Sequence, residues 1–239
     1  MSSEKQAKEL AARLAKEYGV KTLTIQGDMG LEADCTKVVE ETIKGLGGLD
    51  ILISNAGYTR FSDFSDLSAS TVEDWDTCYA VNVKAQVHLM KAAQSTFQAN
   101  PDGGSFILTS SIAGENMSGS SMPYSVTKAA QLHLMRCLAK TQAPKVRVNA
   151  VLPGLLLTEC MYFQKNVNEL LLADFAFSCW RAIGGQKFPQ ERIKALKAAA
   201  WLQNVTDLED CAQSFVDIAR NTSMTGQKIQ IDSGLANVA

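Results

Sequence analysis

The residues best able to do chemistry sit in one short run, Tyr124-Ser125-Val126-Thr127-Lys128. A tyrosine and a lysine four apart at the start of a helix share a face, so an ammonium can lie beside a phenol. A phenol ordinarily gives up its proton near pH ~10, and lowering that by ~3 units takes about 4 kcal/mol of selective phenolate stabilisation. A fixed neighbouring cation is one source of it. Such a pair could pass a proton to or from a substrate oxygen. The spacing alone also suits an ordinary amphipathic surface. Two further runs follow apolar segments: Ser110-Ser111 after Ser105–Thr109, and Ser54-Asn55-Ala56-Gly57 after Leu49–Ile53. Open parallel sheets bind ligands at the carboxyl ends of their strands, and small residues there let a ligand approach the backbone. Each run, taken singly, also reads as a plain strand ending or a tight turn.

The elements that must position these groups alternate along the chain. Ser3–Tyr18 reads as a helix opened by a Ser3/Gln6 capping box, with Ala7, Leu10, Ala11 and Leu14 on one face and Gly19 at its end. Lys21–Gln26 alternates and is rich in β-formers, which predicts a strand. A helix over Glu32–Leu46 and a strand over Leu49–Ile53 follow. Next come a long helix over Glu73–Ala99, a strand over Ser105–Thr109, a helix over Tyr124–Lys140 and a strand over Val146–Val151. Thr206-Asp207-Leu208-Glu209 opens another helix with a second capping box, and Lys228–Ile231 is the last strand. Strands that alternate with helices predict a parallel sheet covered on both faces. No internal repeat, low-complexity tract or linker divides the chain, so one domain is expected over 1–239.

Taken together the motifs are far more specific than any one alone. Ser111 lies 13 residues before Tyr124, and Asn82 sits within the long helix as Val81-Asn82-Val83. Val148-Asn149-Ala150-Val151-Leu152-Pro153-Gly154 comes next, with Thr158 four after the glycine; Thr225-Gly226-Gln227 and Asp232-Ser233-Gly234 stand near the end. In this order and spacing, from about Ser3 to Gly234, the chain resembles the single-domain branch of the short-chain dehydrogenase/reductase family. The resemblance implies a Rossmann-like, doubly wound α/β fold in three αβα layers and hydride transfer between NADP or NAD and a secondary alcohol or carbonyl. It implies Tyr124 as general acid/base, Lys128 lowering its pKa and holding the nicotinamide ribose, and Ser111 polarising the carbonyl. Asn82 would hold a proton-relaying water. Asn55, Ala56 and Gly57 would lie beside the adenosine ribose, Asp28 against the adenine, and Pro153, Gly154 and Thr158 against the nicotinamide.

One departure stands out. The family's first strand leads into a GxxxGxG loop whose helix N-terminus holds the pyrophosphate, and no such motif occurs here. Gly45-Leu46-Gly47-Gly48 is the one tight glycine cluster, and it closes a helix. The chain starts at what resembles the family's third helix-and-strand unit, so the sheet is expected to be N-terminally incomplete by ~40 residues, the usual size of such a piece. In the strand order 3-2-1-4-5-6 the lost strands separate the first two that survive. Either Thr22–Gln26 slides in beside Ile51–Ser54, or an apolar edge stays open, or the sequence is an incomplete gene product; the last is favoured here.

Composition bounds the rest. The 239 residues carry a formal net charge of −2 and are 46% hydrophobic, which suits a soluble globular protein and excludes a coat for nucleic acid or an anionic membrane. No apolar run reaches the ~18 residues of a membrane span. The polar start is no secretory signal, and six scattered cysteines without a CxxC pair argue against zinc or a disulfide framework. A cytoplasmic location follows. Between 155 and 205 the strand rhythm stops and Tyr162, Phe163, Phe175, Phe177, Trp180, Phe188 and Trp201 gather. This is either a lid over an apolar or polyketide-like substrate, or a small core or subunit contact of its own. Lys187, Arg192, Lys194 and Lys197 read as a solvated helix face. The helices holding Asn82 and Tyr124 are apolar enough for a homodimer or tetramer. The alternative function is a catalytically impaired or non-enzymatic truncated relative that binds a partner; epimerisation or dehydration on the same scaffold shares every motif.

Overall fold

The computed structural model describes residues 3–157, 180–182 and 190–237. Helix α1 (Ser3–Tyr18) is followed by α2 (Glu32–Leu46), β1 (Ile51–Ser54) and β2 (Gly57–Thr59). Helix α3 (Val72–Tyr79), a π turn (Ala80–Lys84) and α4 (Ala85–Ala99) come next. Then follow β3 (Gly104–Thr109), α5 (Met122–Gln142), β4 (Val146–Pro153), β5 (Trp180–Ala182), α6 (Gln190–Ala199), α7 (Leu208–Arg220) and β6 (Lys228–Ile231).

Four strands form one parallel sheet in the order β1-β3-β4-β6. β3 is buried along its whole length, and successive side chains feed opposite cores. Phe106 and Leu108, with Val146, Val148, Ala150 and Leu152 of β4, pack against Leu89, Ala93 and Phe97 of α4 and Leu132, Met135 and Ala139 of α5. Cys35 and Val39 of α2 extend that layer. On the other face Ile107 and Val151 meet Cys211, Phe215 and Ile218 of α7. Helices on both faces of a parallel sheet make the expected three-layer α/β fold. Outside it, β2 and β5 pair in parallel as a separate two-stranded sheet, which the sequence did not predict.

The strand expected over Lys21–Gln26 does not form. A strand needs a neighbour for its N–H and C=O groups, and this stretch has none among the described residues. Thr22 Oγ1 instead donates to the Ala11 carbonyl (3.2 Å), Lys37 Nζ donates to the Gln26 carbonyl (3.3 Å), and Leu23 packs on Gly45 of α2. It does not slide in beside β1. Among the described residues β1 is an edge strand, with Ile51 46% exposed.

Two other differences bear on function. The long helix expected over Glu73–Ala99 is broken by the π turn at Asn82. The cap of α7 is Asp207, whose Oδ1 accepts from the N–H groups of Glu209 and Asp210. Thr206 stands one residue too early and turns its hydroxyl to the Ile231 carbonyl (3.3 Å). Asp207→Ala therefore lowers unfolding stability by about 1 kcal/mol in urea denaturation, and Thr206→Val lowers it less; the reverse order would restore the Thr206 cap.

Candidate active site

The site is built where β3 ends. Ser110 continues the pairing with β4, its N–H donating to the Val151 carbonyl at 2.8 Å. Ser111 then leaves the sheet in an extended conformation and caps a short 3₁₀ turn over Ile112–Gly114, accepting from Ala113 N at 3.1 Å. That turn is clamped to the first two turns of α5. Ser125 Oγ donates to the Ala113 carbonyl (2.7 Å) and Ser110 Oγ to the Lys128 carbonyl (3.3 Å). Gly114 lies so close to α5 that a Cβ there would meet the Lys128 carbonyl carbon at 2.8 Å. α5 begins at a Ser121 cap with Pro123 in its first turn, which pre-sets the helical φ. Tyr124 and Lys128 then fall one turn apart, facing the clamped turn.

Both are buried, Tyr124 to 5% and Lys128 to 1% exposure. The Lys128 Nζ lies 5.5 Å from the centroid of the Tyr124 ring. It donates to the Thr109 carbonyl at 2.6 Å and to Gln131 Oε1 at 3.3 Å. Burial pushes the Lys128 ammonium down to about 7. Burial pushes the Tyr124 phenol up from its ordinary value, and its hydrogen bond with the Ser111 side chain works the other way. Burial thus disfavours the charged form of each of the two groups.

Asn82 stands at the π turn. Its Oδ1 accepts from Tyr58 N (2.8 Å), and its Nδ2 donates to the Tyr58 carbonyl (3.0 Å) and to Thr127 Oγ1 (3.0 Å). The amide thus pairs with β2 as a neighbouring strand would and ties it to α5. Both amide protons are engaged, and the side chain positions β2. Insertions that aim one residue out of the helical ladder recur at functional sites. Beyond β2, Arg60 forms a bidentate pair with Asp74, which holds the Asp74 carboxyl down at about 2.

A cleft of about 160 Å³ opens at this end of the sheet. Asn55, Ser111, Tyr124, Pro153 and Gly154 line it, so the structure brings together five of the residues singled out in the sequence. Phe61, Leu155, Leu156 and Leu196 give it an apolar wall. Lys128 and Asn82 stand behind Tyr124. Gly57 is buried at the start of β2 and Ala56 is half-buried; neither lines the cleft. Asp28 is also outside it: exposed, with Oδ1 accepting from Gly30 N at 2.8 Å on the approach to α2. Gly154 is as small as it is because a Cβ would strike Asp232 Cα at 2.7 Å. Thr158 and most of the aromatic stretch lie outside the described residues. Arg192 does more than face solvent, since it lines the cleft and donates to the Gly119 carbonyl (2.8 Å). Thr109, Ser125 and Gln131 went unremarked in the sequence; each is an ordinary residue type whose only signal was its place beside Ser111 or Lys128.

Comparison with known proteins places this arrangement. The short chain dehydrogenase family profile matches residues 1–168. A protein of Streptomyces violaceoruber assigned as ketoacyl reductase 2 of the granaticin polyketide synthase is 32% identical over 212 residues, 89% of this chain and 76% of that protein. Human dehydrogenase/reductase SDR family member 4 is 30% identical over 86% of this chain, which spans 66% of its length. Among solved structures, the NADPH-dependent 3-quinuclidinone reductase of Rhodotorula rubra aligns over 95% of this chain and 76% of its own, with a TM-score of 0.77 and 25% identity. A metagenomic blue fluorescent protein in complex with NADPH aligns over 99% of this chain and 85% of its own, with a TM-score of 0.79 and 25% identity. The profile match over residues 1–168 and the 30% or greater identity across most of the chain make one statement plain: this protein belongs to the short-chain dehydrogenase/reductase family of oxidoreductases.

Proposed function

We propose that the chain reduces a carbonyl to a secondary alcohol, or the reverse, by hydride transfer with NADP(H) or NAD(H), and that its substrate is largely apolar. The observation that carries this reading is the juxtaposition of the Ser111 hydroxyl, the Tyr124 phenol and the Lys128 ammonium at the carboxyl end of the central strand. Two solved neighbours named as NADPH-dependent or in complex with NADPH support the cofactor class.

The described residues fit one end of such a cofactor. Around Tyr124 the donors suit a ribose and a nicotinamide, and Thr109, which lines the same cleft, has a buried Oγ1 without a partner among the described residues. No described glycine-rich loop opens a helix for the pyrophosphate. α2 starts on Leu31 with Glu32 and Asp34 in its first turn, a charge that disfavours an anion there. When bound, the cofactor supplies the hydride. The chain's own residues do the rest. The Ser111 hydroxyl donates to the substrate oxygen and fixes its position. Tyr124, protonated at neutral pH because it is buried, gives that oxygen its proton as the carbonyl carbon is reduced. The apolar wall keeps water from the reacting carbon. Lys128, sharing its proton near neutrality, sets the charge behind the phenol.

Exposed Tyr79, Val87 and Val126 on α3, α4 and α5 support a homodimer or tetramer. The described cysteines are free, in keeping with a cytoplasmic setting, and no helix among the described residues is long and apolar enough to cross a membrane.

Tyr124→Phe removes the transferred proton and lowers NADPH-dependent turnover of a ketone panel by about 10²–10⁴-fold. NADPH affinity, read from tryptophan quenching, stays within a small factor; unchanged turnover contradicts the assignment. A second outcome follows from Lys128. Its folded pKa of about 7 lies below the ordinary lysine value of 10.5, so the unfolded chain binds more protons between these pH values. The Lys128 contribution to stability therefore rises with pH across that window, with a slope approaching ~1.4 kcal/mol per pH unit. Urea unfolding from pH 7 to 10 should show this rise in the wild type relative to Lys128→Met; parallel curves contradict it.

A further inference from the structure

Behind the Tyr124–Lys128 pair lies a buried amide that the proposed reaction leaves unused. Gln131 stands one turn beyond Lys128 on α5 and is 1% exposed. Its Oε1 accepts from Lys128 Nζ at 3.3 Å, while its Nε2 has no partner among the described residues. Leaving a buried amide donor unmet costs about 1–3 kcal/mol, so this side chain is not placed for its own bonding. Its one polar contact among the described residues is Lys128.

The surroundings of Lys128 say what that contact does. The titratable groups facing it are Tyr124 from its own helix and Cys78 from α3. Burial holds Cys78 protonated, pushing its thiol up to about 12. β3 contributes only the neutral Thr109 carbonyl, at 2.6 Å. No carboxylate pairs with the ammonium among the described residues. The charge is therefore held by two neutral oxygens, one from the backbone and one from Gln131. Only the second can be altered by substitution without touching the sheet.

We propose that Gln131 is a positioning residue whose side-chain oxygen holds the Lys128 ammonium behind Tyr124 and favours its charged form. This rests on the reading of Lys128 as the partner of Tyr124 in proton transfer. Removing the acceptor disfavours the charged lysine and lowers its pKa; a carboxylate in its place raises it.

The test is a pH titration by ¹³C NMR of the full chain labelled at lysine Cε, with the Lys128 signal assigned by its loss in Lys128→Met. In the wild type that signal titrates well below the ordinary lysine value. Gln131→Leu lowers its midpoint by about one pH unit, the size of one lost hydrogen bond to a charge, and Gln131→Glu raises it. A packing defect alone would move both variants the same way. An unmoved midpoint in Gln131→Leu, or shifts of the same sign in both, overturns the proposal. Should Gln131→Glu fail to unfold cooperatively, Gln131→Met must reproduce the Leu shift, and no shift overturns the proposal. The titration needs neither cofactor nor turnover. An unmoved midpoint thus leaves the hydride-transfer reading standing, and an active Tyr124→Phe leaves the Gln131 contact standing.

Discussion

A lysine almost wholly enclosed by protein, with no carboxylate beside it among the described residues, is the constraint on which the rest of this structure turns. An ammonium in such a place keeps its proton only if oxygens are aimed at it, because desolvation favours the neutral form. The Thr109 carbonyl supplies one of them. It can do so only at the last residue of β3, where the strand runs into the Ser110–Ser111 turn. Lys128 can reach it only if α5 lies close against that turn. The glycine at 114, the Ser125 and Ser110 hydrogen bonds and the Ser121 cap all serve that one approach. Ser111 and Tyr124 come together as a consequence of the same docking.

The sheet order explains why this end of the molecule is well made while the other is bare. β3 and β4 are paired on both sides and carry both cores, so the turn after β3 is anchored from every direction. Among the described residues β1 has a partner on one side only, and the segment before α2 has no strand partner. Asn82 shows the same economy of anchoring at smaller scale. Its amide stands in for a missing strand beside β2, which fixes the mouth of the cleft to the helix that carries Tyr124.

The sequence made α2, β1, β3, β4, α5 and β6 legible because each has one strong local signal: an apolar face, an unbroken β-forming run, or a clear stop. Ser111, Tyr124, Asn55, Pro153 and Gly154 were legible for a different reason, namely their order. What failed were judgements that depend on a neighbour in space. Lys21–Gln26 has the composition of a strand, and nothing within it tells whether a partner is present. Thr206 and Asp207 are both good caps, and the choice was made by the Ile231 carbonyl in β6. Asn82 reads as a mid-helix residue until the π turn aims it at Tyr58. Spacing placed the Lys128 cation beside Tyr124, but the burial of both groups depends on neighbours that spacing does not report.

The central claim is that Ser111, Tyr124 and Lys128 serve hydride transfer to a carbonyl carbon. Incubation of the wild-type chain with NADPH carrying deuterium at both positions of the nicotinamide C4, and with a panel of apolar ketones, tests it most directly. The account predicts alcohol carrying one deuterium at the carbinol carbon and a proton from solvent on the oxygen. Alcohol without deuterium at that carbon, or no alcohol from any ketone while NADPH is bound, would contradict it.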